Sequence, residues 1–162
     1  MAPIALVQAL VLVLMANGAP VLAARLLGKR ASAPVDRGCL LPDGRPLLGP
    51  SKTWRGLVLG VLVPALGAPV LGVERQVGAL IGALAMAGDL NSSFLKRRLG
   101  VPPSGAAPGI DQVPESLLPL LGASGVLGLS LVEVIVGSAL FWAGEAILSP
   151  LLFRLGLRDR SY

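Results

Sequence analysis

The chain of 162 residues contains no histidine and only one cysteine, Cys39. Without histidine it can form neither a Ser-His-Asp triad nor an imidazole metal site, and it has no imidazole general base. A single cysteine excludes an internal disulfide and a cysteine-rich zinc site. Charged residues are also scarce, at 14% of the chain, which is less polar surface than a soluble domain of this size needs.

Apolar sequence takes the place of the missing polar residues. Hydrophobic residues make up 54% of the chain, and they come in blocks long enough to enter a bilayer. The first block has no basic segment before it, so we expect a membrane span and not a cleaved signal peptide. The 21 glycines and 14 prolines predict closely packed and broken helices. The composition therefore predicts an all-α integral membrane protein, with residues 1–162 forming a single polytopic domain.

The apolar blocks predict about five transmembrane helices. The third block is apolar for only eleven residues, too few to cross about 30 Å of hydrocarbon, so its helix should continue through Asp89 towards Arg98. We expect polar connections at residues 29–56 and 100–115, a tight turn at residues 74–76, and a basic tail at residues 154–162. The spans are expected at residues 3–27 with an interruption at 17–20, at 57–73, at 77–87, at 116–131, and at 134–153, the last two being divided near Glu133.

The cations lie almost entirely on one side of this arrangement. With five spans, both polar connections and the C-terminus share a side, which carries 13 of the 14 Lys and Arg residues and leaves only Arg75 on the other. Cytoplasmic loops of membrane proteins are enriched in Lys and Arg. The sequence therefore predicts a multi-pass cell-membrane protein with its N-terminus outside and both polar connections in the cytoplasm.

One polar stretch, GDLNSSFLKRRLG at residues 88–100, follows an apolar run directly. If it is helical, Asp89, Ser93, Lys96 and Arg97 share one face. A carboxylate that can hold a cation, followed within two turns by phosphate-binding groups, is what a metal–nucleotide site needs. The alternative is a basic cluster that only anchors a helix end at lipid headgroups.

The first connection ends in LGPSKTWRG, at residues 48–56. Lys52, Thr53 and Arg55 offer anion donors at an expected helix N-terminus. The spacing is not that of a P-loop, and Trp54 with Arg55 would also suit an interfacial anchor.

Two acids, Asp89 and Asp111, belong to the second cytoplasmic region. Few, hard oxygen ligands suit Mg²⁺, which keeps several waters and is shared with substrate phosphates. The alternative is that each acid pairs with a nearby Lys or Arg. Within the spans, Asn17 can hydrogen-bond a neighbouring helix or a ligand, and Glu145 should face the bundle interior or a partner.

These motifs together resemble the signature of the CDP-archaeol synthase family. The resemblance rests on residues 49–56, residues 88–100 and the Asp111-Gln112 pair, and residues 17–20 and 43–45 fit the same pattern. Bacterial and eukaryotic CDP-diacylglycerol synthases look like larger relatives. Their Pro-Gly-His-Gly-Gly run before the last acid is not intact here, which favours the archaeal family.

The resemblance implies cytidylyl transfer from CTP to 2,3-di-O-geranylgeranylglyceryl phosphate, giving CDP-archaeol and pyrophosphate. It also implies Mg²⁺ held by Asp89 and Asp111, and catalytic roles for these two acids with Lys52 and Lys96. Because a phosphomonoester is largely dianionic near pH 7, the nucleophile needs no general base, in agreement with the absence of histidine. The implied substrate-binding residues are Asn17, Lys52, Thr53, Arg55, Ser92, Ser93, Lys96 and Arg97.

Two other classes of protein remain open at this point. A small transporter or channel whose cytoplasmic mouth binds an anion would fit the broken helices and Glu145, although no acids or cations form a path across the membrane. A purely structural membrane protein would not require two acid-bearing motifs on one side. The expected partners are CTP, the lipid phosphate and the bilayer, with no nucleic acid, and the sequence leaves homo-oligomerisation open.

Overall fold

The computed structural model describes residues 3–154, apart from residues 104, 106 and 108, and gives the backbone alone from residue 148. The expected basic tail therefore lies, from residue 155 onwards, outside the described residues. All regular elements of the described part are helical except for two isolated bridges, which confirms the all-α prediction. The elements are α1 (Pro3–Leu27), α2 (Trp54–Gly67), a 3-10 helix (Ala68–Leu71), α3 (Arg75–Arg98), α4 (Gln112–Leu127) and α5 (Leu131–Arg154).

Helix α3 lies at the centre of the bundle. It packs against α2 and α4 and also contacts α1, whereas α5 packs chiefly on α4. Three glycines of α3 permit this, because a Cβ at Gly78 or Gly82 would collide with the α2 backbone, and one at Gly88 with the backbone of Pro114. Small residues at such contacts let helix backbones approach closely. The polar end of α3 is therefore held at a fixed distance from its neighbours.

The apolar core lies at the other end of α3. Its fully buried side chains come from four α-helices and the 3-10 helix and include Leu12, Ile81, Leu120 and Val134. Ile81 precedes Asp89 by eight residues, which is about 12 Å along a helix. The bundle is thus packed by apolar side chains in one half and lined by polar ones in the other.

Three of the described helical stretches are long and apolar enough to cross a membrane, namely Pro3–Leu27, Trp54–Leu71 and Arg75–Arg98. The number of α-helices agrees with the predicted five, while the number of spans stays a prediction. Helix α4 has 16 residues and a length of about 24 Å, which is shorter than the hydrocarbon core. The expected continuation of the third helix through Asp89 to Arg98 is confirmed.

The interruption expected in the first helix is wrong. Helix α1 runs without a break through residues 17–20, with Pro20 inside it. A proline removes one backbone donor, but a helix in lipid keeps its remaining backbone bonds because no water is there to replace them. Asn17 and Pro20, three residues apart, lie on one face of this continuous helix.

The bounds of the second helix and the turn after it also differ from the expectation. Helix α2 begins three residues early, at Trp54, because the Thr53 hydroxyl accepts a hydrogen bond from the Gly56 N–H (3.2 Å) and caps the helix. The tight turn predicted at residues 74–76 is wrong. The chain reverses at Gly72, which has a positive φ of 73°, and Glu74 is already the N-cap residue of α3.

The last two helices begin earlier than predicted, α4 by four residues and α5 by three. Helix α4 begins at Gln112 and not at Ser116, and it ends before Gly128, whose φ is 67°. Glu133 does not divide the helices but lies in the first turn of α5. Its carboxylate accepts a hydrogen bond from the Ser130 N–H (2.9 Å), and the Ser130 hydroxyl accepts one from the Glu133 N–H (3.3 Å), which is a capping box.

Candidate active site

A polar cavity of about 940 Å³ lies where α1, α2, α3 and the two polar connections meet. Segments far apart in sequence contribute to it: the second half of α1, the end of the first connection, the polar end of α3 and the start of α4. The cavity is lined by nine of the ten residues that the sequence predicted for a site, namely Asn17, Lys52, Thr53, Arg55, Asp89, Ser93, Lys96, Arg97 and Asp111.

Two ion pairs lie in the wall of the cavity. The Lys52 Nζ lies 2.5 Å from Asp89 Oδ1, and the Lys96 Nζ lies 2.6 Å from Asp111 Oδ1. Each pair joins two different chain segments, and all four side chains are largely buried, so salt screens them less than surface charges. The alternative interpretation of the acids, that each pairs with a nearby cation, is thus the arrangement that the structure has.

The second pair is also tied to the loop before α4. Lys96 donates a second hydrogen bond to the Gly105 carbonyl (3.1 Å), and Asp111 Oδ2 accepts one from the Ala107 N–H (3.1 Å). The carboxylate and the ammonium therefore tie Gly105 and Ala107 to the end of α3, and both charged side chains line the cavity.

Arg97 is the most deeply buried cation of the site. It is 3% exposed, and its Nε and NH1 atoms have no hydrogen-bond partner among the described residues. Asp111 attracts its charge but is already paired with Lys96. A buried donor without a partner costs about 1–3 kcal/mol, and more when it is charged. Such a guanidinium, placed in a cavity wall, suits an incoming anion with several oxygens.

Asn17, on α1, likewise has a buried donor without a hydrogen-bond partner among the described residues. This donor is its Nδ2, and the residue lines the same cavity. A buried amide donor without a partner costs free energy. The cavity thus offers unused donors from two helices.

Three of the predicted site residues have other contacts. Thr53 caps α2, as described above. Arg55 donates from NH1 to the carbonyls of Gly28 (3.0 Å) and Arg30 (2.5 Å), which ties the end of α1 to the start of α2. Ser92 is 1% exposed, donates to the Asp89 carbonyl of its own helix (3.0 Å) and does not line the cavity. The structure therefore does not place Ser92 where a substrate-binding residue would be.

Glu115 is a cavity residue that the sequence prediction missed. It lines the cavity and lies within electrostatic reach of Asp89 and Lys52. Its spacing was an available signal, because it follows Asp111 by four residues and so shares its face of a helix. Glu145, which was expected to face the bundle interior, does line the cavity and acts electrostatically on Glu115.

The carboxylates have the right donor chemistry for a divalent cation. Within the described residues, no group of three or more acidic or Cys side chains is arranged to hold a metal ion by itself. Mg²⁺ does not need such a cage, since it is commonly bound through one or two carboxylates together with substrate phosphates and water. Asp89 and Asp111, both on the cavity surface, fit that requirement.

The fold and the cavity together define a class of protein. It is a helical membrane protein with a cavity rich in both cations and acids, at the polar end of its bundle.

Comparison with known proteins identifies the family within that class. Residues 4–79 match the family model described as CarS-like, CDP-archaeol synthase. The chain is 40% identical over 123 residues to the CDP-archaeol synthase of Hyperthermus butylicus, covering 68% of this chain and 67% of the relative. For the CDP-archaeol synthase of Methanosphaerula palustris the identity is 39% over 148 residues, covering 82% and 85%. For that of Pyrococcus furiosus it is 39% over 107 residues, covering 60% of each chain.

A solved structure gives the same result at the level of the fold. It is described as an intramembrane enzyme for archaeal membrane lipids biosynthesis, and it matches with a TM-score of 0.72 and 30% identity over 93% of this chain and 90% of its own. The chain belongs to the CDP-archaeol synthase family.

Proposed function

We propose that this chain is a CTP-dependent cytidylyltransferase that converts 2,3-di-O-geranylgeranylglyceryl phosphate into CDP-archaeol. The observation that carries the proposal is the convergence of residues 52, 89, 96, 97 and 111, from three chain segments, on one polar cavity. Family membership supplies the reaction, and the charge pattern of the cavity supports it.

In the proposed reaction, an oxygen of the lipid phosphate attacks the α-phosphorus of CTP. A new phosphorus–oxygen bond forms, the bond to the β-phosphate oxygen breaks, and pyrophosphate leaves. Because the attacking phosphate is already largely dianionic near pH 7, no side chain has to remove a proton. The protein has to bring two anions together and stabilise the charge on the leaving group.

The cations of the cavity suit that task. Arg97 has two buried guanidinium nitrogens without partners, so it can bind a phosphate without first giving up a contact of those atoms. Lys52, in the first polar connection, and Lys96, in the last turn of α3, both line the cavity and are paired with carboxylates. Phosphate oxygens would replace those carboxylates as partners of the two ammonium groups.

Asp89 and Asp111 would hold Mg²⁺ once the two lysines turn to the phosphates. The ion would supply Lewis-acid stabilisation of the charge that develops on the triphosphate. Glu115, which lies within electrostatic reach of Asp89, would add negative charge beside that carboxylate.

The substrate's isoprenoid chains account for a site built at the membrane face. A second cavity of about 590 Å³ lies between α1 and α2 and is lined almost entirely by apolar side chains such as Leu14, Leu22 and Val63. The same two helices border the polar cavity. Apolar chains can thus stay in lipid while the phosphate enters the polar cavity, which we place on the cytoplasmic side because of the distribution of cations.

The test is to incubate purified protein with labelled CTP, Mg²⁺ and the isoprenoid ether glycerol phosphate. We expect a labelled CDP-lipid and stoichiometric pyrophosphate, with ATP and GTP as poor substitutes. If the protein forms no nucleotide-linked lipid but moves an anion across liposomes, it is a transporter and the proposal is wrong.

A further inference from the structure

Asp36 is a buried acid outside the cavity, in the connection between α1 and α2. It is 8% exposed. Its Oδ2 accepts hydrogen bonds from the backbone N–H groups of Leu48 (2.9 Å) and Gly49 (2.8 Å), and its Oδ1 accepts one from the Gly38 N–H (3.0 Å). One carboxylate thus joins two parts of the connection that are 12 and 13 residues apart.

The segment beyond these donors is the turn formed by residues 49–52. It is closed by a hydrogen bond from the Lys52 N–H to the Gly49 carbonyl (3.2 Å). Its first residue is held by the Asp36 carboxylate. Its last residue is held by a hydrogen bond from the Val35 N–H to the Lys52 carbonyl (2.8 Å). The turn is therefore fixed at its two ends by two consecutive residues of the chain.

This turn carries two elements of the cavity. Lys52 extends from it to Asp89. Gly49, which has a φ of 100°, lies against Arg97, since a Cβ at this position would be 3.9 Å from the Arg97 NH1. The position of the turn therefore sets the distance between the Lys52 ammonium and the unpartnered guanidinium.

An ionised carboxylate is the group that this position requires. Burial alone would raise the pKa of Asp36, but the N–H donors of Gly49, Gly38 and Leu48 outweigh it and lower the pKa below its usual value. An asparagine would present an NH₂ group to at least one of these donors. Because the N–H groups of residues 48 and 49 are used by Asp36, they are not available as a nest for phosphate. Recognition of an anion is thus left to the side-chain cations.

We propose that Asp36 is a positioning residue of the active site, which fixes the 49–52 turn so that Lys52 and Arg97 act on the same phosphate groups. The part that concerns phosphate rests on the proposed function. The part that concerns the turn does not.

The turn can be tested without measuring activity. The chain has three lysines, Lys29, Lys52 and Lys96, so an amine-reactive reagent and peptide mass spectrometry can follow each separately. In Asp36→Asn, labelling of Lys52 should become several-fold faster, while the exposed Lys29 and the helical Lys96 keep their rates. The matched control is Asp43→Asn, which removes an acid of the same connection that pairs with Arg98 (2.7 Å) and should leave Lys52 unchanged.

A second variant approaches the turn from its other end. In Gly49→Ala the new methyl group has room, but the positive φ disfavours a residue with a Cβ. It should therefore also speed the labelling of Lys52. Equal acceleration at all three lysines in both variants would indicate general loosening of the fold, and an unchanged rate at Lys52 would show that Asp36 does not fix the turn. Either result overturns the proposal.

Activity then tests the role in the reaction. Asp36→Asn should lower kcat/KM for CTP about 10- to 100-fold, the scale of a misplaced contact group. In a Lys52→Ala background the same change should cost less than about threefold, because residues that act through one another are not additive. Full additivity would contradict the positioning role. A wild-type protein without any transfer activity would instead refute the proposed function, and the labelling experiment would still decide the role of Asp36.

Discussion

Replacing Arg97 by methionine should stabilise the empty protein and impair nucleotide binding at the same time. The guanidinium is 3% exposed and has two nitrogens without hydrogen-bond partners in the described residues. Removing this guanidinium leaves no carboxylate without a partner, because Asp111 remains paired with Lys96. Removing a buried charge removes its desolvation cost, and replacing even a whole buried ion pair by apolar residues of similar volume is often neutral or stabilising by about 1–4 kcal/mol.

The size of both effects follows from these contacts. A gain of 1 kcal/mol corresponds to about 2–4 °C in Tm for a chain of this length, so Arg97→Met should raise the Tm of nucleotide-free protein by several degrees. Hydrogen bonds to charged groups contribute about 1.5–3 kcal/mol each. Loss of one such contact should weaken CTP binding about 10- to 150-fold.

The assay is thermal unfolding of detergent-purified protein with and without CTP and Mg²⁺, combined with the KM for CTP. The wild-type Tm should rise with CTP, and that of Arg97→Met should rise much less. The neighbouring Arg98 is the matched control, because it has partners in the Asp43 carboxylate (2.7 Å) and the Pro46 carbonyl (2.6 Å). Arg98→Met should lower the Tm and change KM little. A lower Tm and an unchanged KM in Arg97→Met would refute the reasoning.

Three further predictions concern the metal, the topology and the pH dependence. Asp89→Asn and Asp111→Asn should each reduce turnover by at least about 100-fold, since a bridging metal contributes several kcal/mol at the transition state; near-normal rates across a range of Mg²⁺ concentrations would remove that residue from the site. A membrane-impermeant thiol reagent should react with the exposed Cys39 only after right-side-out vesicles are permeabilised, and labelling of sealed vesicles would reverse the topology. Because the pKa of folded Asp36 is lowered from an unfolded value of about 3.9, its stabilisation is present above that value and lost as the pH falls through the folded pKa. The stability difference between wild type and Asp36→Asn should thus be constant from about pH 7 to pH 5 and shrink below about pH 4, and a difference that grows in acid would contradict this.

The sequence predicts best where one local signal dominates. The bounds of α1 follow from the length of its apolar block, and the extension of α3 through Asp89 follows from the length that a bilayer requires. Pro20 misleads as a helix breaker, because its effect depends on the solvent around the helix. The start of α4 is missed because the polar residues from Gln112 onwards look like loop, although they form the first helical turn.

The residues of the site show the same difference between local and non-local signals. Residues with a local pattern, such as the one-sided series from Asp89 to Arg97, lie together as expected. Asp36 could not be found from sequence because its partners are backbone N–H groups 12 and 13 residues away, which carry no side-chain signal. Ser92 was expected in the site but does not line the cavity, for a related reason. Three residues after Asp89 it donates to that residue's carbonyl, and hydroxyl composition alone cannot tell a helix-internal hydrogen bond from a substrate contact.

In the two lysine–carboxylate pairs, each group has a partner that a ligand could replace. A metal ion arriving alone would take Asp89 and Asp111 and leave Lys52 and Lys96 as unpaired, largely buried cations, and a triphosphate arriving alone would leave the two acids unpaired. In the proposed reaction, only a metal–nucleotide complex would replace all four partners at once. Under the proposed function, each ligand therefore has to strengthen the binding of the other by the same factor. The two ion pairs would then disfavour the binding of nucleotide alone or metal alone and favour the binding of their complex.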